Sequence, residues 1–194
     1  MTIEIEAKMR LVNPAALEGQ LERLGASYLG ERREHNTYFD HRDGSLKRSD
    51  QGLRIRVEQQ PGKPDVITLT HKGPRAHGQL KNRTETEAQV YDARETAHLF
   101  SVLGFEPVLT FEKHRKRYQL DGCCIDLDSL PYLGDFIEIE GPSEAIVLAT
   151  RQKLSLDNEP IVKASYLAML MTHIHEQHIT DRVIPLERNP LAVD

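Results

Sequence analysis

A chain of 194 residues is long enough to bury a core of its own, and 39% hydrophobic with 28% charged residues is the balance of a globular protein, not a disordered one. With 30 Asp and Glu against 25 Lys and Arg, the net charge of −5 excludes a general nucleic-acid binder but leaves room for a local cationic pocket that takes a small phosphate-rich molecule. Apolar runs too short to span a bilayer, a charged strand at the very start and two adjacent cysteines, Cys123 and Cys124, that would point to opposite faces of a strand and so not pair, together lead us to expect a reduced, cytoplasmic protein that engages no membrane.

The first strand, 3–10, alternates strictly: Glu4, Glu6, Lys8 and Arg10 project to one face, Ile3, Ile5, Ala7 and Met9 to the other. Asn13 then caps a helix with Pro14 at its first position, Leu17, Leu21 and Leu24 at helical spacing, and Gly25 to end it. A strand at 34–41 carries Tyr38 and Phe39, which read as core aromatics, and Asp43-Gly44 marks a turn. In the next strand, 52–58, Arg54 and Arg56 oppose Leu53, Ile55 and Val57.

A Pro61-Gly62-Lys63-Pro64-Asp65 cluster separates that strand from one at 65–72, and the segment 75–81 reads as a flexible loop before a strand at 82–90 that sets Arg83, Glu85 and Glu87 in register. Asp92 opens a helix with Ala97, Phe100 and Leu103 that stops at Gly104. Two strands follow around the Asp121-Gly122 hairpin turn, 110–119 with Lys113, Arg115 and Arg117, and 123–128 with Asp126 and Asp128. The last strand, 135–141, repeats the opening pattern with Glu138 and Glu140. Helices are predicted over 143–156 and 163–175, and residues 177–194 read as a loosely ordered polar tail behind a single domain of 1–176.

Eight strands joined by short turns make an antiparallel sheet, and their polar faces carry Glu, Asp, Lys and Arg where an ordinary half-solvated sheet mixes in Thr, Ser and Gln. Such a sheet either turns its charges to water or curls into a barrel with the charges inside, and periodicity alone leaves both open. His173, His175 and His178 complete no recognised metal pattern, and His35 and His71 read as surface residues beside motif positions. Arg10 and Arg117 share the polar parity but suit a rim equally well. No P-loop, dinucleotide fingerprint or Ser/His/Asp order occurs.

Glu4-x-Glu6-x-Lys8, Asn36-Thr37-Tyr38-Phe39-Asp40, Leu53-Arg54-Ile55-Arg56, Thr70-His71-Lys72-Gly73-Pro74, Arg83-x-Glu85-x-Glu87, Lys113-x-Arg115, Asp126 and Gly134-x-Phe136-x-Glu138-x-Glu140 follow one another in an order that resembles the CYTH superfamily, the triphosphate tunnel metalloenzymes named for class IV adenylyl cyclase and thiamine triphosphatase. The resemblance runs over about residues 1–170; each motif is short, and their succession is what makes it specific. The stretch Ser165-Tyr166-Leu167-Ala168-Met169-Leu170 is similar to the last helix of the cyclase branch, whereas the His-Phe pair that cyclases of this class tend to carry near the N-terminus is missing.

The resemblance implies an α+β fold: an eight-stranded antiparallel β-barrel or tunnel with flanking α-helices and inward charges. It implies metal ligands at Glu4, Glu6, Glu85, Glu87, Asp126, Glu138 and Glu140, hard oxygen donors suited to Mg²⁺ or Mn²⁺. Two carboxylates about 4 Å apart repel by roughly 4 kcal/mol at an effective dielectric near 20, so such a cluster needs cations or protons. Lys8, Arg54, Arg56, Lys72, Arg83, Lys113 and Arg115 then form the substrate cradle, with Lys8, Lys72 and Arg115 as the catalytic cations. Lys72 is the most specific of these, because it ends its strand beside the 75–81 loop that can close over the tunnel mouth.

The implied activity is metal-dependent processing of a small-molecule triphosphate, with hydrolysis of inorganic triphosphate, thiamine triphosphate or a nucleoside triphosphate placed first. Conversion of ATP to cyclic AMP and pyrophosphate is the alternative, and a noncatalytic polyphosphate- or nucleotide-binding module the third reading. The expected state is a monomer or a homodimer.

Overall fold

The computed structural model describes residues 2–76 and 78–187. Its strands are β1 (Thr2–Leu11), β2 (Ser27–His41), β3 (Gly52–Gln59), β4 (Val66–Arg75), β5 (Lys81–Val90), β6 (Phe105–Leu120), β7 (Cys123–Leu130), β8 (Gly134–Glu140) and a short β9 (Val183–Ile184). Helix α1 (Pro14–Arg23) follows β1, the one-turn α2 (Ser45–Arg48) follows β2, α3 (Ala93–Val102) precedes β6, and α4 (Glu144–Lys153) and α5 (Tyr166–Glu176) follow β8.

The first eight strands pair in the order β2-β3-β4-β5-β1-β8-β7-β6, and β6 pairs back onto β2, so the sheet closes into an antiparallel barrel. Closure decides the question the alternation left open. Ala7 and Met9 of β1 pack outward against Leu17 and Leu21 of α1, Val147 of α4 and Leu154 just after it, all buried in one cluster, which turns Glu4, Glu6 and Lys8 into the lumen. A second outer cluster sets Phe39 and Ile55 against Phe100 of α3. The helices start where local chemistry allows: Asn13 Oδ1 accepts from Ala16 N at 3.0 Å, and Asp92 Oδ1 from Arg94 N at 2.8 Å and Glu95 N at 3.0 Å.

One end of the barrel is closed by α5. Tyr38, Phe111, Leu130 and Phe136 share strand parity with the charged lumen residues, yet they are buried with Tyr166, Leu170 and Ile174 of α5. Each such fully buried side chain contributes about 1.5–3 kcal/mol, so the helix is firmly seated as a stopper. Val162 N donates to Lys8 O at 2.7 Å, tying the segment before α5 to β1.

Several boundaries differ from the sequence reading. β2 starts at Ser27 instead of 34, because pairing with β6 extends it across a bulge between Tyr28 and Gly30, where Gly30 takes φ 114°. β6 starts at Phe105 instead of 110, with Pro107 accommodated at a second register shift opposite Phe39. α5 begins at Tyr166 instead of 163, capped by Ser165. The tail is corrected over 177–187: β9 pairs parallel to β6 at Thr110 and Phe111, and Ile184 is fully buried, while 188–194 lie outside the described residues. Cys123 and Cys124 are unpaired, as their opposite directions dictate. No helix among the described residues is long and apolar enough to cross a membrane.

Candidate functional site in the barrel lumen

Side chains of opposite sign meet inside the barrel in two groups. The acidic group begins on β1. Lys81 Nζ lies 2.7 Å from Glu6 Oε1 and 2.9 Å from Glu4 Oε2. Lys72 Nζ lies 3.3 Å from Glu4 Oε1 and also pairs with Glu85. Against the cost of burial, Lys72 and Lys81 hold Glu4 well below the usual carboxylate range. Glu6 goes the other way: burial and the neighbouring Glu138 and Glu4 carboxylates push it up to about 7 despite Lys81. Burial also raises Glu140, with Glu4 adding repulsion. There is more negative charge here than the lysines neutralise.

The second group centres on Glu34 of β2, which is fully buried. Its oxygens lie 2.9 Å from Arg32 Nε, 3.1 Å from Arg56 Nε, 3.4 Å from Lys113 Nζ and 3.8 Å from Arg115 Nε. Four cations outweigh its burial and keep its carboxyl well below the ordinary value of 4.5. Arg115 joins the two groups, reaching Asp126 at 2.5 Å and Glu138 at 2.6 Å, and Asp128 binds both Arg115 and Lys113. Registry produces this: Arg115 stands opposite Asp128 and Arg32, Lys113 opposite Glu34, and Asn36 opposite Arg56.

Not every buried donor is satisfied. Arg54 Nη2 donates to Thr70 Oγ1 at 3.1 Å, but Arg54 Nε, Arg83 Nε and Asn36 Nδ2 have no acceptor. A buried N–H without a partner costs about 1–3 kcal/mol, more on a charged group. Asn36 and Arg54 stand on the adjacent strands β2 and β3, and Arg83 on β5 opposite Glu4; with Arg56, Lys72 and Lys113 they line the inner face with donors for an anion rich in oxygen. Lys8 faces the closed end, donating to Ala164 O at 2.6 Å with its ammonium 4.2 Å from the centre of the Tyr166 ring.

Most of the predicted residues are buried on the inward face of the barrel. Glu4, Glu6, Lys8, Arg54, Arg56, Lys72, Arg83, Glu85, Lys113, Arg115, Asp126 and Glu138 are all buried or nearly so. Glu87 is half-exposed, accepting from Thr70 Oγ1 at 2.9 Å, and Glu140 is exposed at the rim. Arg117 is pinned to Asp126 at 2.6 Å, and Arg10 donates outward to Leu133 O. His173 stacks on Tyr132, and His71 bonds Gln51. The sequence reading missed Glu34, Arg32 and Lys81. Extending the alternation of Asn36 and Tyr38 back by two and four positions, and that of Arg83 back by two, finds all three.

Among the described residues no three His, Cys, Asp or Glu side chains are gathered as a ready-made metal centre. The donor chemistry nevertheless fits a hard divalent ion: Glu4 and Glu6 supply only oxygens, a single ammonium already bridges them, and surplus carboxylate charge surrounds them.

The family described as CYTH domain matches this chain over residues 2–165. Adenylate cyclase CyaB of Aeromonas hydrophila is 32% identical over 154 residues, which are 78% of this chain and 76% of that protein. A Methanocaldococcus jannaschii protein is 26% identical over 176 residues, covering 86% of this chain and 98% of its own length. Among solved structures, the PH1819 protein of Pyrococcus horikoshii OT3 superposes with a TM-score of 0.77 at 27% identity, over 88% of this chain and 99% of that one.

Proposed function

The chain belongs to the CYTH family, and from that premise we propose that it is a divalent-metal-dependent enzyme that hydrolyses a small-molecule triphosphate inside its barrel. The observation that carries the reading is the trio of buried, acceptorless donors, Arg54 Nε, Arg83 Nε and Asn36 Nδ2, beside a crowded carboxylate group. The inner face thus carries donors short of acceptors and carboxylates short of cations. A triphosphate with a divalent ion supplies both at once.

Arg54, Arg56 and Arg83 bind non-reacting phosphate oxygens and hold the chain in one pose, while Lys72, Lys113 and Arg115 meet charge that builds on the transferred phosphoryl group. Water attacks the terminal phosphorus, a new P–O bond forms as the bridging P–O bond breaks, and the proton of water leaves to solvent or to a lumen carboxylate. Inorganic phosphate departs from the diphosphate portion. Glu4, Glu6 and Glu138 would hold Mg²⁺ or Mn²⁺, which when bound neutralises phosphate oxygens and aligns the phosphorus for in-line attack. The closed end, with Tyr166 over Lys8, keeps bulk water from one side of the lumen.

A second reading is favoured by the 32% identity to adenylate cyclase CyaB: attack by the ribose 3′ hydroxyl of ATP on the α-phosphorus, releasing pyrophosphate. The same cradle serves either nucleophile. Purified protein incubated with Mn²⁺ and tripolyphosphate, and separately with ATP, separates the readings once the products are resolved by ion exchange. Orthophosphate and pyrophosphate from tripolyphosphate are expected. Cyclic AMP with pyrophosphate from ATP selects cyclisation instead, and stoichiometric binding without turnover of either compound refutes both enzyme readings.

A further inference from the structure

Lys81 opens β5 directly after the connection from β4, opposite Glu6 of β1. Its ammonium is the only group that touches both carboxylates of the Glu4-x-Glu6 pair among the described ion pairs, at 2.9 Å and 2.7 Å. The contact is unequal. Glu6 Oε1 receives a hydrogen bond, whereas Glu4 Oε2 is buried beside the charge without an aligned donor. The ammonium brings one positive charge to two carboxylates, whereas a divalent ion brings two and takes only oxygen ligands. The position thus suits a metal ion better than it suits the nitrogen that fills it.

The geometry points to Lys81 as a built-in counter-ion that occupies the divalent-cation position between Glu4 and Glu6 and has to withdraw before the ion binds. This rests on the metal reading given under Proposed function. The lysine has somewhere to go. Arg83, two residues on along the same strand, has an unpartnered Nε at the anion cradle, so a phosphate chain arriving there offers the Lys81 ammonium new oxygens. Metal binding is then weak in the free protein and strengthens when the triphosphate draws Lys81 away. Lys163 Nζ donates to Gly78 O at 2.9 Å and Arg75 Nη1 to Lys163 O at 3.1 Å, and Lys81 is itself paired opposite Glu6, so the withdrawal is a movement of the Lys81 side chain.

Isothermal titration of Mn²⁺ into the full-length, EDTA-stripped protein without any triphosphate tests this. Lys81→Met should bind Mn²⁺ at least about tenfold more tightly than wild type, and Lys81→Arg, which keeps the charge, no more tightly. Lys81→Gln, which retains a hydrogen-bond donor for Glu6, should shift in the same direction as Lys81→Met and serves if the methionine variant does not fold. The rise in unfolding midpoint on adding Mn²⁺ should likewise be larger in the neutral variants. Unchanged or weaker Mn²⁺ binding in the folded neutral variants, with wild type binding normally, overturns the role of Lys81 and leaves the metal reading standing. Absence of Mn²⁺ binding in every protein overturns both.

Discussion

Replacing Glu34 by Gln keeps the shape of a fully buried side chain and removes the one carboxylate common to Arg32, Arg56, Lys113 and Arg115. Breaking a buried ion network by deleting one partner typically costs about 3–5 kcal/mol, because the remaining charges stay buried and repel. Here the lower end applies: Asp128 still holds Lys113 and Arg115, and Glu58 lies 3.4 Å from Arg32 and 3.6 Å from Arg56. A loss of about 3 kcal/mol in a chain of this size lowers the unfolding midpoint by roughly 10 °C. The same substitution leaves the cradle with one more uncompensated positive charge, so added tripolyphosphate should restore stability to the variant by more than it adds to wild type. Urea unfolding followed by circular dichroism, in EDTA with and without tripolyphosphate, reads both effects. A variant within about 0.5 kcal/mol of wild type, or one that gains no more from tripolyphosphate than wild type does, would refute the assignment of Glu34 as the neutralising centre of the cationic half.

Glu6 and Glu34 should give opposite pH dependences. The folded-state value of Glu6, about 7, exceeds its unfolded 4.5, so the folded protein binds the extra proton and stability attributable to Glu6 falls as pH rises from about 4.5 to 7, by roughly 3 kcal/mol; Glu6→Gln should flatten that slope in metal-free urea unfolding. Glu34 is held below its unfolded value, so its contribution is present above about pH 4.5 and disappears as pH falls further, a loss absent from Glu34→Gln. Arg83→Ala removes a guanidinium whose Nε has no acceptor and whose Nη2 lies 4.0 Å from Asp50; calorimetry should show tripolyphosphate binding weakened about tenfold or more, with a smaller stability loss than Glu34→Gln. Glu138→Gln should cut turnover by roughly 10²- to 10³-fold in a phosphate-release assay, and full activity would remove Glu138 from the reacting centre.

Much of this lumen was legible in the strand alternation, because a period of two assigns every other side chain to one face without any knowledge of pairing. Glu4, Glu6 and Lys8 could be grouped from β1 alone, as could Arg54 with Arg56 and Lys113 with Arg115. Which face lay inside could not be, since that follows from the β2–β6 pairing that closes the barrel. Glu34 escaped as a site residue because the family-like motif begins at Asn36, and Arg32 because it lies before residue 34, where the sequence reading starts the strand that pairing with β6 extends back to Ser27. Lys81 was assigned to the 75–81 loop that follows Lys72-Gly73-Pro74; its role depends on standing opposite Glu6. The stopper was hidden for a different reason. Phe111 and Phe136 have charged-face parity and apolar chemistry, and only the docking of α5 at that end explains them.

A crystal of the wild-type protein soaked with tripolyphosphate and Mn²⁺ tests the central claim most directly. The account predicts the phosphate chain inside the barrel against Arg54, Arg56 and Arg83, with anomalous manganese signal at Glu4, Glu6 and Glu138 and the Lys81 ammonium moved off Glu4. Phosphate or manganese bound only on the outer surface, with the lumen pairs of Glu4, Glu6 and Lys81 unchanged, would contradict it.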